Sequence, residues 1–154
     1  MPNWCYNRVR IDADSDQVDQ LKEIHDIFEK HPDPFNQILP IPDFKNIPNE
    51  KGELPKLEQV KNPDGSIFYE TYNFPDGKND DRWYYWCIDN WGTKWDITAD
   101  SVDMESYDSE QLEIEFSTAW SPPEPICKKL RQMFPDLSFS WFYDEPGMEF
   151  AGYL

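Results

Sequence analysis

The sequence predicts an α+β fold in which two helices cover one face of a four-stranded, mainly antiparallel sheet. Stretches of alternating apolar and polar residues indicate half-buried strands, and between them lie stretches whose apolar residues recur every three or four positions, as in amphipathic helices. Seven Trp, eight Tyr and ten Phe residues in a chain of 154 supply the bulky apolar surface of one compact domain, although the mean hydropathy is −0.84.

The first predicted strand and helix lie near the N-terminus. Residues 4–11 alternate, so one side of the strand carries Cys5, Asn7, Val9 and Ile11 and the other side carries Trp4, Tyr6, Arg8 and Arg10. In the following helix, one apolar stripe contains Val18, Leu21, Ile24 and Phe28. Pro32 ends this helix because proline cannot continue it.

Residues 34–82 are predicted to be a proline-rich insertion after the first helix. Its seven prolines interrupt both regular periods, and the NPDG sequence at 62–65 predicts one hairpin. The next segment, RWYYWCIDNWG, has its Trp residues at nearly helical spacing. It predicts a short helix with Gly92 as the left-handed residue at its C-terminal end.

The remaining elements follow in the order strand, strand, helix, strand. We expect the second strand at 93–99, a polar turn at 101–110 and the third strand at 112–118, where alternation is strong. Ser121 and Glu124 have the spacing of a capping box at the start of the second helix, which ends at Pro135. A fourth strand at 137–143 and a final short strand at 148–154 complete the chain.

This order is the βαββαβ plan of a ferredoxin-like sandwich. We expect a single domain over residues 1–154, with the insertion at 34–82 placed after the first helix. The last two strands form an additional C-terminal β-hairpin.

Five short segments give the chain a family resemblance. They are 1–7 (MPNWCYN), 35–42 (FNQILPIP), 90–96 (NWGTKWD), 118–123 (TAWSPP) and 149–152 (EFAG). In these segments the chain resembles the YubB-type ferredoxin-like family, small proteins carried mainly by phages and conjugative plasmids. The resemblance implies the fold already predicted and an origin in a mobile element. It implies no mechanism, because the family has no settled activity.

Composition excludes several functional classes. The formal net charge of −17 argues against direct binding of nucleic acid, which needs a local excess of Lys and Arg. No apolar stretch reaches the roughly 18 residues that a membrane span requires. The odd set of thiols, Cys5, Cys87 and Cys127, favours a reducing cytoplasm. Because phosphate-binding loops, nucleophile elbows and metal-ligand spacings are absent, we expect no enzymatic activity, cofactor or metal.

The first strand resembles an RNA-binding platform, since Tyr6, Arg8 and Arg10 share one side. In the usual 4-1-3-2 strand order, however, the third strand lies beside the first, and Glu113 and Glu115 would pair with the arginines. We therefore interpret this face as salt-bridged structure rather than as an RNA site.

A tryptophan-rich turn is the one candidate pocket, and the alternative function for the chain is a small-ligand or enzymatic site there. Its residues are Asn90, Trp91, Lys94, Trp95, Asp96 and Trp120. Aromatic walls with a few polar groups are typical of small-ligand sites. The alternative is that these residues are core and that Lys94 and Asp96 form a local ion pair.

Two segments of the chain carry concentrated negative charge, which is the remaining indication of function. The candidate partner-binding residues are Asp16, Asp19, Glu23 and Asp26 of the first helix, and Asp100, Asp103, Glu105, Asp108 and Glu110 of the polar turn. One interpretation is that these carboxylates only maintain solubility. The other, which we adopt, is a surface that binds a basic protein partner. Such a surface could imitate nucleic acid and inhibit a host nuclease or another nucleic-acid-binding protein.

Overall fold

The computed structural model describes residues 2–154, except for the side chain at position 99. The chain divides into two compact units, one made of residues up to Pro40 together with Cys87–Leu154, the other of Ile41–Trp86. In chain order the elements are β1 (Trp4–Asp12), α1 (Val18–Lys30), α2 (Pro34–Ile38), β2 (Lys56–Lys61), β3 (Ile67–Asn73), α3 (Arg82–Trp91), β4 (Asp103–Tyr107), β5 (Gln111–Ala119), α4 (Glu124–Met133), β6 (Ser138–Glu145) and β7 (Phe150–Tyr153). No helix of the described residues is both long enough and apolar enough to cross a membrane.

The first unit is built on a five-stranded sheet in the order β4-β5-β1-β6-β7. All neighbouring strands are antiparallel. Without β7, the order β6-β1-β5-β4 is the 4-1-3-2 arrangement of the ferredoxin-like βαββαβ fold. The predicted fold class is therefore confirmed, and β7 adds the predicted C-terminal hairpin to its edge.

The two faces of this sheet differ because side chains alternate along each strand. On one face β1 buries Cys5, Asn7, Val9 and Ile11, and β5 buries Leu112, Ile114, Phe116 and Thr118. Helix α1 packs on this face, where the Phe28 and Phe116 rings stack with centroids 5.8 Å apart. Helix α4 buries Ile126, Cys127 and Leu130. The opposite face, which we call the open face, presents mostly exposed or half-buried side chains.

The second unit contains the predicted hairpin. Strands β2 and β3 pair antiparallel around a turn at 62–65, and Gly65 adopts a positive φ of 87° there. Arg82 binds Asp80 through two nitrogens, Nε at 2.8 Å and Nη2 at 2.9 Å, and its guanidinium lies over the Phe44 and Phe74 rings. This guanidinium holds the pKa of Asp80 below its ordinary value.

The second strand was predicted in the wrong place. Residues 93–98 form no regular element, and the strand is β4, inside the segment predicted to be a polar turn. Strand β4 lies at the edge of the sheet, so both its faces carry polar residues, and an irregularity between Met104 and Ser106 breaks the alternation. These two features remove the period of two on which the prediction depended.

The capping box was also wrong. Helix α4 has Pro123 at its N-cap and no side-chain cap. The Ser121 hydroxyl instead donates to the Gly92 carbonyl oxygen at 2.5 Å, which ties the start of α4 to the end of α3. Prolines near the helix start have no N–H group that needs a partner, so a side-chain cap would stabilise this helix less than one without prolines.

Gly92 ends α3 in the predicted left-handed conformation, and its replacement should be costly. Its φ is 77°, and a Cβ there would lie 2.8 Å from Pro125 Cδ. We expect Gly92→Ala to lower the free energy of unfolding by about 2 kcal/mol or more, from the backbone conformation and the clash together. Urea denaturation measures this loss. Gly65→Ala is the control, since its φ is also positive but nothing lies within 4 Å. Equal losses in the two variants would show that the clash costs nothing.

Candidate functional site

Five of the predicted acidic residues lie together at one margin of the sheet. Asp100 is in a 3₁₀ turn at Ala99–Ser101, two more are on β4, and two are in the turn that leads to β5. All five are exposed. We call this group the acidic edge, and it consists of Asp100, Asp103, Glu105, Asp108 and Glu110. Because β4 is the outermost strand, its polar side chains have solvent rather than another strand beside them.

Local hydrogen bonds hold the turn of the acidic edge. The Asp108 carboxylate accepts from the backbone N–H groups of Glu110 at 2.8 Å and Gln111 at 2.9 Å. The Asp108 N–H donates to the Gln111 carbonyl oxygen at 2.9 Å. An aspartate that binds the backbone ahead of it is a common turn-former. The sequence therefore places carboxylates here partly because they make the turn.

Helix α1 lies beside the acidic edge. The His25 ring stacks on Tyr107 of β4 with centroids 3.8 Å apart and planes 16° apart, and α1 also packs against the turn at Ala99–Ser101. Asp16 lies just before this helix, Asp19 and Glu23 lie on it, and all three are exposed. The structure thus brings the two predicted acidic segments to the same margin of the first unit.

The fourth predicted helix residue, Asp26, differs from the others. It is half-buried, and its carboxylate binds Lys22 Nζ at 2.7 Å, Lys30 Nζ at 2.9 Å and His25 Nδ1 at 3.1 Å. The hydrogen bonds from Lys22, Lys30 and His25 hold the pKa of Asp26 well below its ordinary value. Its charge is compensated within the helix, so we remove Asp26 from the candidate surface.

Two residues of the predicted tryptophan-rich pocket, Trp91 and Asp96, have structural roles. Trp91 is buried, and its Nε1 donates to the Leu39 carbonyl oxygen at 2.9 Å. The Asp96 carboxylate accepts from the backbone N–H groups of Phe35 at 2.8 Å and Asn36 at 2.9 Å at the start of α2, and from Ile97. Burial raises the pKa of Asp96, and these hydrogen bonds partly offset the rise.

The other members of that predicted group make different contacts or are exposed. Lys94 Nζ lies 4.4 Å from the centroid of the Trp95 ring, a cation–π contact. Trp95 and Trp120 are exposed, and Asn90 is half-buried. Of the six predicted residues, Asp96 alone lines the cavity of about 810 Å³ on the open face.

A cavity of about 810 Å³ lies on the open face instead. Trp4, Tyr6 and Phe142 contribute its aromatic side chains, and Arg8, Asp96, Asp103, Glu115 and Asp144 contribute its charged ones. Thr98, Ser101 and Ser117 add hydroxyl groups. The alternation of residues 4–11 had placed Trp4, Tyr6 and Arg8 on one side. Sequence reasoning missed Phe142 and Asp144, because their place opposite Arg8 and Tyr6 depends on the register between β1 and β6.

The arginines of the open face are paired with acids. Arg8 lies opposite Glu115 in the register of β1 with β5, and its Nε donates to the Glu115 carboxylate. This pairing of the first and third core strands was predicted. Arg10 lies opposite Glu113 but binds Asp12 on its own strand, with Nε 3.2 Å from the carboxylate. The exposed cations of β1 are therefore held by neighbouring carboxylates.

Burial sets the chemistry of the cysteines. It raises the pKa of Cys5 and the pKa of Cys87 to about 11 each, and it also raises the pKa of Cys127. All three thiols are buried. They are protonated at neutral pH, the form in which a thiol is a weak nucleophile.

Comparison with known families agrees with the topology. Residues 91–154 match the model of a family described as a ferredoxin-like domain in Api92-like protein. This ferredoxin-like segment contains the acidic edge, α4 and the last two strands, whereas β1 and α1 lie before it. No curated protein and no solved structure matches the chain.

Proposed function

We propose that this protein binds the basic surface of another protein through the acidic edge together with Asp16, Asp19 and Glu23. The observation that carries the proposal is the position of these carboxylates, which are exposed at one margin of the sheet and beside one helix. No Lys or Arg occurs between Lys94 and Lys128. The segment that forms the acidic edge therefore contains no cation of its own to compensate the charge.

Charge gathered in this way acts at a distance. Carboxylates on one side of a surface produce a field that speeds the encounter with a positively charged partner and repels nucleic acid. The effect extends over roughly one Debye length, about 8 Å at physiological ionic strength. Binding through the acidic edge should therefore weaken as salt is raised.

The edge strand also limits the mode of contact. An outer strand has backbone groups that another strand could pair with, and charged side chains on it oppose such pairing. Asp103 and Glu105 occupy that strand here. We therefore propose that the partner contacts the side chains of the edge rather than extending the sheet.

The class of partner follows from the same chemistry. Proteins that bind nucleic acid carry basic surfaces built for rows of negative charge. We propose that the partner is a host nuclease or another cytoplasmic nucleic-acid-binding protein, and that the acidic edge occupies its nucleic-acid site. The resemblance to proteins of phages and plasmids supports this choice, because such elements gain from inhibiting host defences.

Capture from host lysate tests the proposal. The bait is the wild-type chain, and the matched baits are an edge variant (Glu105→Gln, Asp108→Asn, Glu110→Gln) and a control variant (Asp89→Asn, Asp136→Asn, Glu149→Gln). The control removes the same number of exposed acids outside the edge. We expect a basic nucleic-acid-binding protein to be captured by the wild type and the control, and lost with the edge variant. Equal capture by all three baits would reject the proposal.

A further inference from the structure

We propose that the cavity on the open face binds an arginine side chain presented by the basic partner. This inference rests on the proposed function and adds the chemical group that the partner must present. The cavity and the acidic edge share Asp103. A partner that lies along the edge is thus placed to insert a side chain into the cavity.

Aromatic side chains form one part of the cavity. Trp4 is 44% exposed and Tyr6 is 54% exposed, and both project from the open face of β1. Phe142 of β6 lies opposite Arg8, and Arg8 is two residues from Tyr6 along β1. The faces of aromatic rings attract cations, so the exposed rings of Trp4 and Tyr6 can stack against a ligand. Phe142 is half-buried and packs against Tyr153, with ring centroids 5.3 Å apart.

The carboxylates of the cavity determine the sign of the charge on the ligand that it can bind. Arg8 and Glu115 compensate each other, and Asp96 is occupied by backbone N–H groups. Among the described residues 2–154, Asp103 and Asp144 belong to none of the ion pairs. The charge of the cavity that remains uncompensated is therefore negative, and it complements a cationic ligand.

Arginine is the cation that best matches this combination. Its planar guanidinium stacks on aromatic rings and binds a carboxylate through two N–H groups at once, whereas the lysine ammonium is a more strongly hydrated point charge. A volume of about 810 Å³ exceeds that of one side chain, so residues that flank the arginine also fit. A peptide segment of a protein meets these requirements.

Peptide binding tests the inference directly. The probes are a fluorescein-labelled peptide, Gly-Gly-Arg-Arg-Gly-Gly-Arg-Gly, and the same peptide with every Arg replaced by neutral citrulline or by Lys. We expect fluorescence anisotropy to show weaker binding of the citrulline peptide by about tenfold or more, with the Lys peptide between the two, since a hydrogen bond to a charged group contributes about 1.5–3 kcal/mol.

Substitutions of cavity residues provide a second test of the inference. Asp144→Asn and Tyr6→Leu should each weaken binding of the Arg peptide by about fivefold or more, from loss of the charge and of the aromatic face. Both residues lie on the open face, so the unfolding midpoint in urea should change little. Glu149→Gln, outside the cavity, should bind the peptide like the wild type.

The outcomes separate this inference from the proposed function. Equal binding of the Arg and citrulline peptides, or unchanged binding by both cavity variants, would overturn the arginine site. Binding of Nα-acetyl-arginine amide as tight as that of the peptide would make the ligand a small cation and overturn the assignment to a partner. If the captured protein is lost with the edge variant but not with Asp144→Asn, the inference fails alone. If capture of the protein is the same with the edge variant and with Asp144→Asn as with the wild type, the proposed function fails too.

Discussion

The edge variant, with Glu105→Gln, Asp108→Asn and Glu110→Gln, should associate with the captured partner about 10-fold to 100-fold more slowly than the wild type at low salt. Charged groups at an interface steer diffusional encounter, and such steering changes association rates by about 10–1,000-fold. The three substitutions remove charge without removing side-chain volume. Asn at position 108 also keeps an oxygen that can accept from the N–H groups of the turn. Surface plasmon resonance with immobilised partner gives both rate constants.

The control variant, with Asp89→Asn, Asp136→Asn and Glu149→Gln, has the same net charge as the edge variant. It should associate at nearly the wild-type rate, because its substitutions lie outside the edge. A comparable slowing in both variants would mean that total charge, and not its position, governs binding. Circular dichroism of all three proteins confirms that the fold is retained.

Asn7→Ala should cause the largest loss of stability, about 3 kcal/mol or more in the free energy of unfolding. The Asn7 Nδ2 group donates to the Cys5 carbonyl oxygen at 3.1 Å and to Thr118 Oγ1 at 3.0 Å. Its Oδ1 accepts from Trp141 Nε1 at 3.1 Å. Trp141 is completely buried, so the substitution leaves its N–H group in the core without this acceptor.

A double-mutant cycle isolates that contribution. In the Trp141→Phe background the indole N–H is absent, so Asn7→Ala should cost about 1–2 kcal/mol less than in the wild type. Urea denaturation of the four proteins gives the coupling. Additive losses would contradict the hydrogen bond as the reason that an amide lies among the apolar residues of β1.

The order of elements could be predicted because it depends on local patterns. The alternation in β1 and β5 and the apolar stripe of α1 indicated the βαββαβ order, and that order placed the arginines of β1 beside the glutamates of β5. The pairing of Arg8 with Glu115 in particular depends on the register of the two strands. Strand β4 could not be predicted, because an exposed edge strand with an irregular register has neither an apolar face nor a period of two. Because β4 lies within the segment predicted to be a polar turn, the acidic residues of that segment are at the edge of the sheet.

The candidate site was predictable only in part. The exposed carboxylates of residues 100–110 were visible in the sequence as a run without cations. The compensation of Asp26 by two lysines depends on side-chain geometry within α1. The cavity depends on long-range register, since Tyr6 and Asp144 are far apart in the chain and meet only because β1 pairs with β6. The Trp91–Asp96 turn has the composition of a pocket, yet Asp96 caps α2 and Trp91 packs in the core.

The most direct test of the central claim is the salt dependence of partner binding, measured for the wild type, the edge variant and the control variant from low to high ionic strength. We predict that the affinities of the wild type and the control fall steeply as salt is raised, and that the edge variant binds weakly with a much flatter dependence. Parallel salt dependences for all three proteins would contradict the claim that the acidic edge is the binding surface.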